Sequence, residues 1–160
     1  MKAKIRNNVP YWRDEARRSL RNVARLVLIE DLGFGASGDI IPGIMERAQA
    51  IMQKYDTLYP DPRDETEAIA RRLRAENIDH TTTKGSGRKA DLSREHDIFF
   101  CAMMLSLRKE KDRFGKIRMK RFFDCMNRKI AYYNNTFAGT GGAGFEVMRE
   151  RLQQYGSAFD

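Results

Sequence analysis

Apolar residues recur along this chain at three- and four-residue spacing, broken at a few glycine- and proline-rich points, and that rhythm predicts helices throughout. A first helix opens after Pro10 and carries Trp12, Ala16, Leu20, Val23, Ala24 and Val27 on one stripe, with Gly33 and Gly35 as its stop. Asp39 is the expected N-cap of a second, with Pro42 in its first turn and Ile41, Ile44, Met45, Ala48, Met52 and Tyr55 turned inward. The "YPDPRDE" segment breaks the chain before a third helix from about Asp64 to Glu76, which faces inward with Ile69 and Leu73.

Residues 77–91 show no periodicity and are expected to form a flexible linker. After Ser93, "DIFFCAMMLSL" is apolar on nearly every side, which suits a central helix continuing to about Lys111. A fifth helix from Lys116 to Tyr133 would bury Met119, Phe122, Phe123, Met126 and Ile130. A second flexible connection, "NNTFAGTGGAG", leads to a last helix with Phe145, Met148, Leu152 and Tyr155 on one side.

The expected class is therefore all-α, a single compact helical domain of about six helices spanning residues 1–160. Its order reads as helix, Phe-Gly loop, helix, turn and short helix, and then the same again. A shift of 80 residues places Leu20 on Phe100, Val27 on Leu107 and Phe34-Gly35 on Phe114-Gly115. A shift of 78 places Ile41 on Met119 and Met45 on Phe123, and one of 79 places Leu73 on Leu152. Small changes of offset at loops are what a diverged duplication leaves. The pattern predicts two three-helix units, 10–76 and 92–156, related by a pseudo-twofold axis. Phe34 and Phe114 would plug the core, and Gly35 and Gly115 would reverse the chain.

Composition narrows the class further. With 41% apolar and 32% charged residues and only four prolines, the chain has the makeup of a folded helical protein. No apolar run reaches the roughly 20 residues that span a bilayer, and "MKAKIRNNVP" lacks the apolar stretch of a signal peptide, so the expectation is a cytoplasmic protein without a membrane partner. Cys101 and Cys125 each lie in an apolar helical pattern and are expected to be reduced core thiols.

Charge is unevenly placed. Residues 1–80 carry 14 Lys+Arg against 13 Asp+Glu, whereas residues 81–160 carry 16 against 9. A basic half favours an anionic partner. "RFGKIRMKRFFDCMNRK" leaves Lys116, Arg118, Lys120, Arg121, Arg128 and Lys129 around the outer circumference of the fifth helix. Arg118, Arg121 and Arg128 fall in register to follow a row of phosphates, and Lys116 stands near the helix start, where backbone N–H groups also draw anions. Lys84, Arg88 and Lys89, in "TTTKGSGRK", add a basic loop able to order on the same ligand.

Other motifs carry less. "GTGGAG" satisfies G-x-G-x-x-G literally but lacks the strand that a dinucleotide fold requires, leaving a loop whose N–H groups could meet a phosphate or serve only as a connector. His80-Thr81-Thr82 matches the H-x-T element of two-histidine phosphoesterases, yet the other histidine, His96, precedes Asp97-Ile98 and supplies no second element. Neither histidine has metal-ligand spacing, so no cofactor or metal is expected and the chain reads as non-enzymatic.

"FGKIRMKRF", Phe114 to Phe122, resembles a pattern of small, mostly uncharacterised phage and prophage proteins: Gly-Phe-Gly, then Lys-x-Arg-apolar-x-Arg-Phe. The first half keeps Leu32, Gly33, Phe34 and Gly35, but has Ala36, Asp39, Ile41 and Gly43 where the basic residues would fall. The resemblance covers about 40 residues and implies a viral setting without an activity. The resulting expectation is a phosphate-rich ligand, nucleic acid ahead of a small phosphorylated nucleotide. A host defence protein bound directly is the further alternative, and homo-oligomerisation is left open.

Overall fold

A computed structural model describes residues 10–109 and 115–160. Phe114, expected as a core plug, lies outside them. Among the described residues the protein is all-α, with six helices: α1 (Tyr11–Leu26), α2 (Ile40–Leu58), α3 (Pro62–Arg74), α4 (Arg88–Leu107), α5 (Lys116–Thr136) and α6 (Ala143–Gln154). None is long and apolar enough to cross a membrane.

Local chemistry fixes the ends. Asp61 caps α3 by accepting the Arg63 N–H at 2.9 Å, with Pro62 in the first turn and Asp64 and Glu65 behind it at the positive end of the helix dipole. Asp39 does precede α2, although its side chain makes no capping bond. The last turn of α1 widens into a π-turn, Val27–Asp31, and the helix stops at Gly33, whose φ of +74° allows the Phe34 N–H to return to the Leu28 carbonyl at 2.9 Å. Gly33 therefore reverses the chain where Gly35 was expected to, and Gly115 sits in extended backbone as the residue before α5.

Helix α4 is the hub. Twelve of its 20 residues are buried, from Arg94 through Leu107. It packs on α1, α2 and α3, while α1 in turn packs on α5 and α6. Exchanging α1 with α4, α2 with α5 and α3 with α6 carries these packings onto themselves. The caps repeat too. After α3, the N–H groups of Asn77 and Ile78 return to the carbonyls of Arg74 and Leu73; after α6, those of Gly156 and Ser157 return to Gln153 and Leu152. Asn77 and Gly156 share left-handed φ values of 62° and 74°.

Two departures from the sequence reading matter for the site. The α4 helix begins at Arg88, so the last residues of the expected linker are helical; the buried Arg94 ties this first turn together by bonding Asp91 at 3.0 Å and the Gly85 carbonyl. Tyr155, expected inside, is exposed and donates its hydroxyl to Glu30 at 2.8 Å.

A buried ionic cluster joins the helices at one end of the core. Arg13 and Arg17 of α1 meet Glu95 of α4, Glu65 of α3 and Asp56 of α2; Arg17 binds Glu95 at 2.7 Å and both Asp56 oxygens at 2.6 and 2.8 Å. Glu65 and Glu95 are completely buried, and Glu65 Oε2 meets no donor. Burial and the neighbouring Asp56 push the Glu65 carboxyl up to about 9, so it carries its own proton at neutral pH. Burial alone would raise Asp56 as well, but its bonds to Arg17 outweigh it and hold that carboxyl below the usual range.

Candidate ligand pocket between the 77–83 segment, α4 and α5

The chain leaving α3 does not behave as a free linker. It crosses the face of α4 and is pinned there by Asp97. Thr83 donates to one carboxylate oxygen of Asp97 twice, through its backbone N–H at 2.9 Å and its hydroxyl at 2.6 Å. His80 Nε2 lies 3.1 Å from the other oxygen. Burial alone would raise the Asp97 carboxyl, but the bonds from His80 and Thr83 outweigh it and hold Asp97 below the usual carboxylate range. An ionised Asp97 can only accept, which assigns the proton in this pair to Nε2 of His80.

The His80 ring is only 7% exposed. It meets Phe123 edge-on, with centroids 5.9 Å apart, and Phe123 lies 4.9 Å from Phe100. This aromatic group forms one wall of a cavity of about 910 Å³ bounded by Asn77 to Thr83, α4 and α5. Cations stand at its edge: Lys116 and Lys120 from α5 and Arg108 from beyond α4. Lys120 pairs with Asp124 at 2.8 Å and Arg108 lies 3.8 Å from Glu76. Positions 116, 120, 123 and 127 fall one above another on a helix, so one stripe of α5 supplies two lysines, an aromatic ring and an amide to the same opening.

The nine basic residues singled out from the sequence do not form one patch. Lys116 and Lys120 open onto the cavity. Arg121 and Arg128 are exposed on another side of α5, where Arg128 donates to the Cys125 sulfur at 3.1 Å. Arg118 is exposed near the start of α5. Lys129 is enclosed by Glu30 and Asp31 at 3.3 and 3.2 Å, in a group that also holds Arg151 and Tyr155. Arg88 stacks over Trp12, with its guanidinium 4.5 Å from the ring centre. Lys84 and Lys89 are exposed, Lys84 in the loop and Lys89 in the first turn of α4.

The residues that build the pocket are largely ones that charge patterning passed over: Asp97, Thr83, Phe100 and Phe123, together with a histidine weighed only for a motif it did not complete. One signal was present. Asp97 opens the largely apolar run Ile98 to Leu107 within α4, one turn before Phe100, and a charge facing so much apolar surface is there for a partner.

The arrangement is equipped to hold a ligand. It presents an aromatic wall for a flat ring, amide and hydroxyl groups for polar edges, and lysines for an anion. Among the described residues no hydroxyl or thiol is hydrogen-bonded to His80, and no group of His, Cys, Asp or Glu is placed to hold a metal ion. The "GTGGAG" turn lies elsewhere, before α6, where the Thr140 N–H and hydroxyl are both bonded to the Phe137 carbonyl. Both cysteines are buried free thiols, and burial pushes Cys101 up to about 12. Comparison with protein families, curated proteins and solved structures finds no match, so the reading of the site rests on its geometry.

Proposed function

We propose that this protein is a non-catalytic binder of a small phosphate-bearing ligand with a planar ring, a nucleotide being the simplest of that chemistry. The observation that carries this is the shared opening of Phe123, Lys116 and Lys120 on one stripe of α5 above the Asp97-held His80. The ring would lie against Phe100, Phe123 and His80, and the phosphates would meet the two lysines. A cavity of about 910 Å³ suits such a molecule.

Thermal unfolding with a panel of nucleotides tests it. A ligand present at about 100 times its dissociation constant adds about 2.7 kcal/mol to stability. The same panel should leave a Lys116→Glu/Lys120→Glu variant unshifted. No shift with any nucleotide in the parent protein defeats the proposal.

Nucleic acid is the second reading, favoured by the exposure of Arg121 and Arg128 on a common side of α5. It predicts binding of random DNA or RNA that weakens steeply with salt and disappears in Arg121→Glu/Arg128→Glu. In the phage setting suggested by Phe114 to Phe122, a nucleotide binder of this kind would act by sequestering a host defence signal, and a binder of a host protein would act by direct inhibition.

A further inference from the structure

The exchange of halves that relates the helix packings also relates two cavities. A smaller cavity, of about 380 Å³, lies between α1, α2 and the chain that leaves α6. At the offset of 78, its Met45 and Gln49 correspond to Phe123 and Asn127 of the larger cavity, and at 79 its Asp160 corresponds to Thr81. In both halves a short helix ends in the same pair of backbone bonds and the following segment runs over a longer helix. In the second half that segment leaves the cavity roomy. In the first half Ser157, Ala158 and Asp160 of that segment line the smaller one.

The last residue this segment contributes is an anion. Asp160 Oδ2 receives Arg21 Nε at 3.0 Å and Arg25 Nη1 at 2.5 Å. Asn22 clasps the same residue's backbone, donating from its amide to the Asp160 carbonyl at 3.2 Å and accepting the Asp160 N–H at 2.9 Å. Both arginines are largely covered, with side chains 13% and 12% exposed. On the wall of this cavity the Gln49 Oε1 is buried without a donor. Two guanidinium groups one helical turn apart, converging on one carboxylate, make a site whose chemistry is that of oxyanion recognition.

We infer that the first-half cavity is a second oxyanion site, selective for phosphate or pyrophosphate groups, and that residues 157–160 are a built-in plug whose Asp160 carboxylate stands in for the ligand. A ligand phosphate carries more charge than a carboxylate and offers more acceptor oxygens, so it can compete for Arg21 and Arg25 once it displaces the plug. The plug sets a threshold: the apparent affinity falls by the fraction of molecules in which it is seated. The inference does not depend on what fills the larger cavity.

Titration with pyrophosphate tests it, in the parent protein and in Asp160→Asn, each carrying Lys116→Glu/Lys120→Glu to silence the larger cavity. Asp160→Asn should bind at least about tenfold more tightly, equivalent to 1.4 kcal/mol, and a further Arg25→Gln change should abolish the gain. Equal affinities with and without Asp160→Asn overturn the inference. If Asp160→Asn does not fold, hydrogen exchange in the parent protein decides the matter. The Asp160 amide, protected by Asn22, should lose protection in step with pyrophosphate concentration, and protection that stays constant to high pyrophosphate refutes the plug.

Discussion

Thr83 hangs from Asp97 by two hydrogen bonds to a single carboxylate oxygen, backbone and side chain together. The segment after α3 is thereby a wall of the larger cavity. Asp97→Ala removes an acceptor that serves three buried or half-buried donors. Stability should fall by about 1–3 kcal/mol, and hydrogen exchange should accelerate selectively over residues 79–84, with the exchange of α2 unchanged.

Glu65 makes the pH dependence of folding unusual. Its folded value of about 9 lies above the 4.5 of an ordinary glutamate, so the folded protein keeps a proton that the unfolded chain releases. The Glu65 contribution is complete below about pH 4.5 and is lost progressively as pH rises towards 9. Glu65→Gln mimics the protonated acid. Urea unfolding across this range should show a stability decline in the parent that is visibly flatter in the variant, and parallel curves would count against a protonated Glu65.

Arg17 is buried between Glu95 and Asp56. Arg17→Ala leaves Glu95 and Asp56 with Arg13 as their one remaining counterion in the cluster, and should cost about 3–5 kcal/mol. Chemical denaturation measures the loss. A cost below about 1 kcal/mol would mean that the cluster is hydrated rather than dry.

Glu30, placed by the π-turn, gathers Lys129, Arg151 and Tyr155. Burial alone would raise its carboxyl, but the Tyr155 hydroxyl and the two cations outweigh burial and hold it below the usual range. Its contribution is therefore present above the ordinary glutamate range and is lost as pH falls through the lowered folded value. Glu30→Gln should lower the melting temperature at neutral pH and reduce the loss of stability on acidification.

Gly156 and Asn77 occupy matching left-handed caps. Gly156→Ala adds a Cβ in the left-handed region and should cost roughly 1–2 kcal/mol. Asn77 already bears a Cβ there, so Asn77→Ala should cost less, and chemical denaturation of the two variants checks the order.

The helices were legible because apolar spacing reports burial directly: Leu20, Val23, Ile44, Met52, Ile69, Leu73, Met119 and Phe122 are all interior. The ionic cluster was not, since periodicity counts a charged residue as a solvent position. Yet Arg13 and Arg17 extend the spacing of Leu20 and Ala24, and Glu65 that of Ile69 and Leu73, so the buried faces run on into charge. The cavity was hidden for a different reason. Residues 77–83 have no periodicity because what holds them is the side chain of Asp97, a contact between elements that no local pattern encodes. Basic residues were easy to count, but Lys129 and Arg88 turn out to serve Glu30 and Trp12.

Helix α1 packs chiefly on α4, α5 and α6, all encoded after residue 87, although Arg13 and Arg17 also reach Glu65 of α3 and Asp56 of α2. During synthesis the first 80 residues therefore emerge with an uncovered apolar stripe and two arginines awaiting Glu95. At about 5–20 residues per second, the nascent chain spends seconds in that condition. Commitment to the fold waits on the arrival of α4, and until then the ribosome-bound chain is a substrate for chaperones.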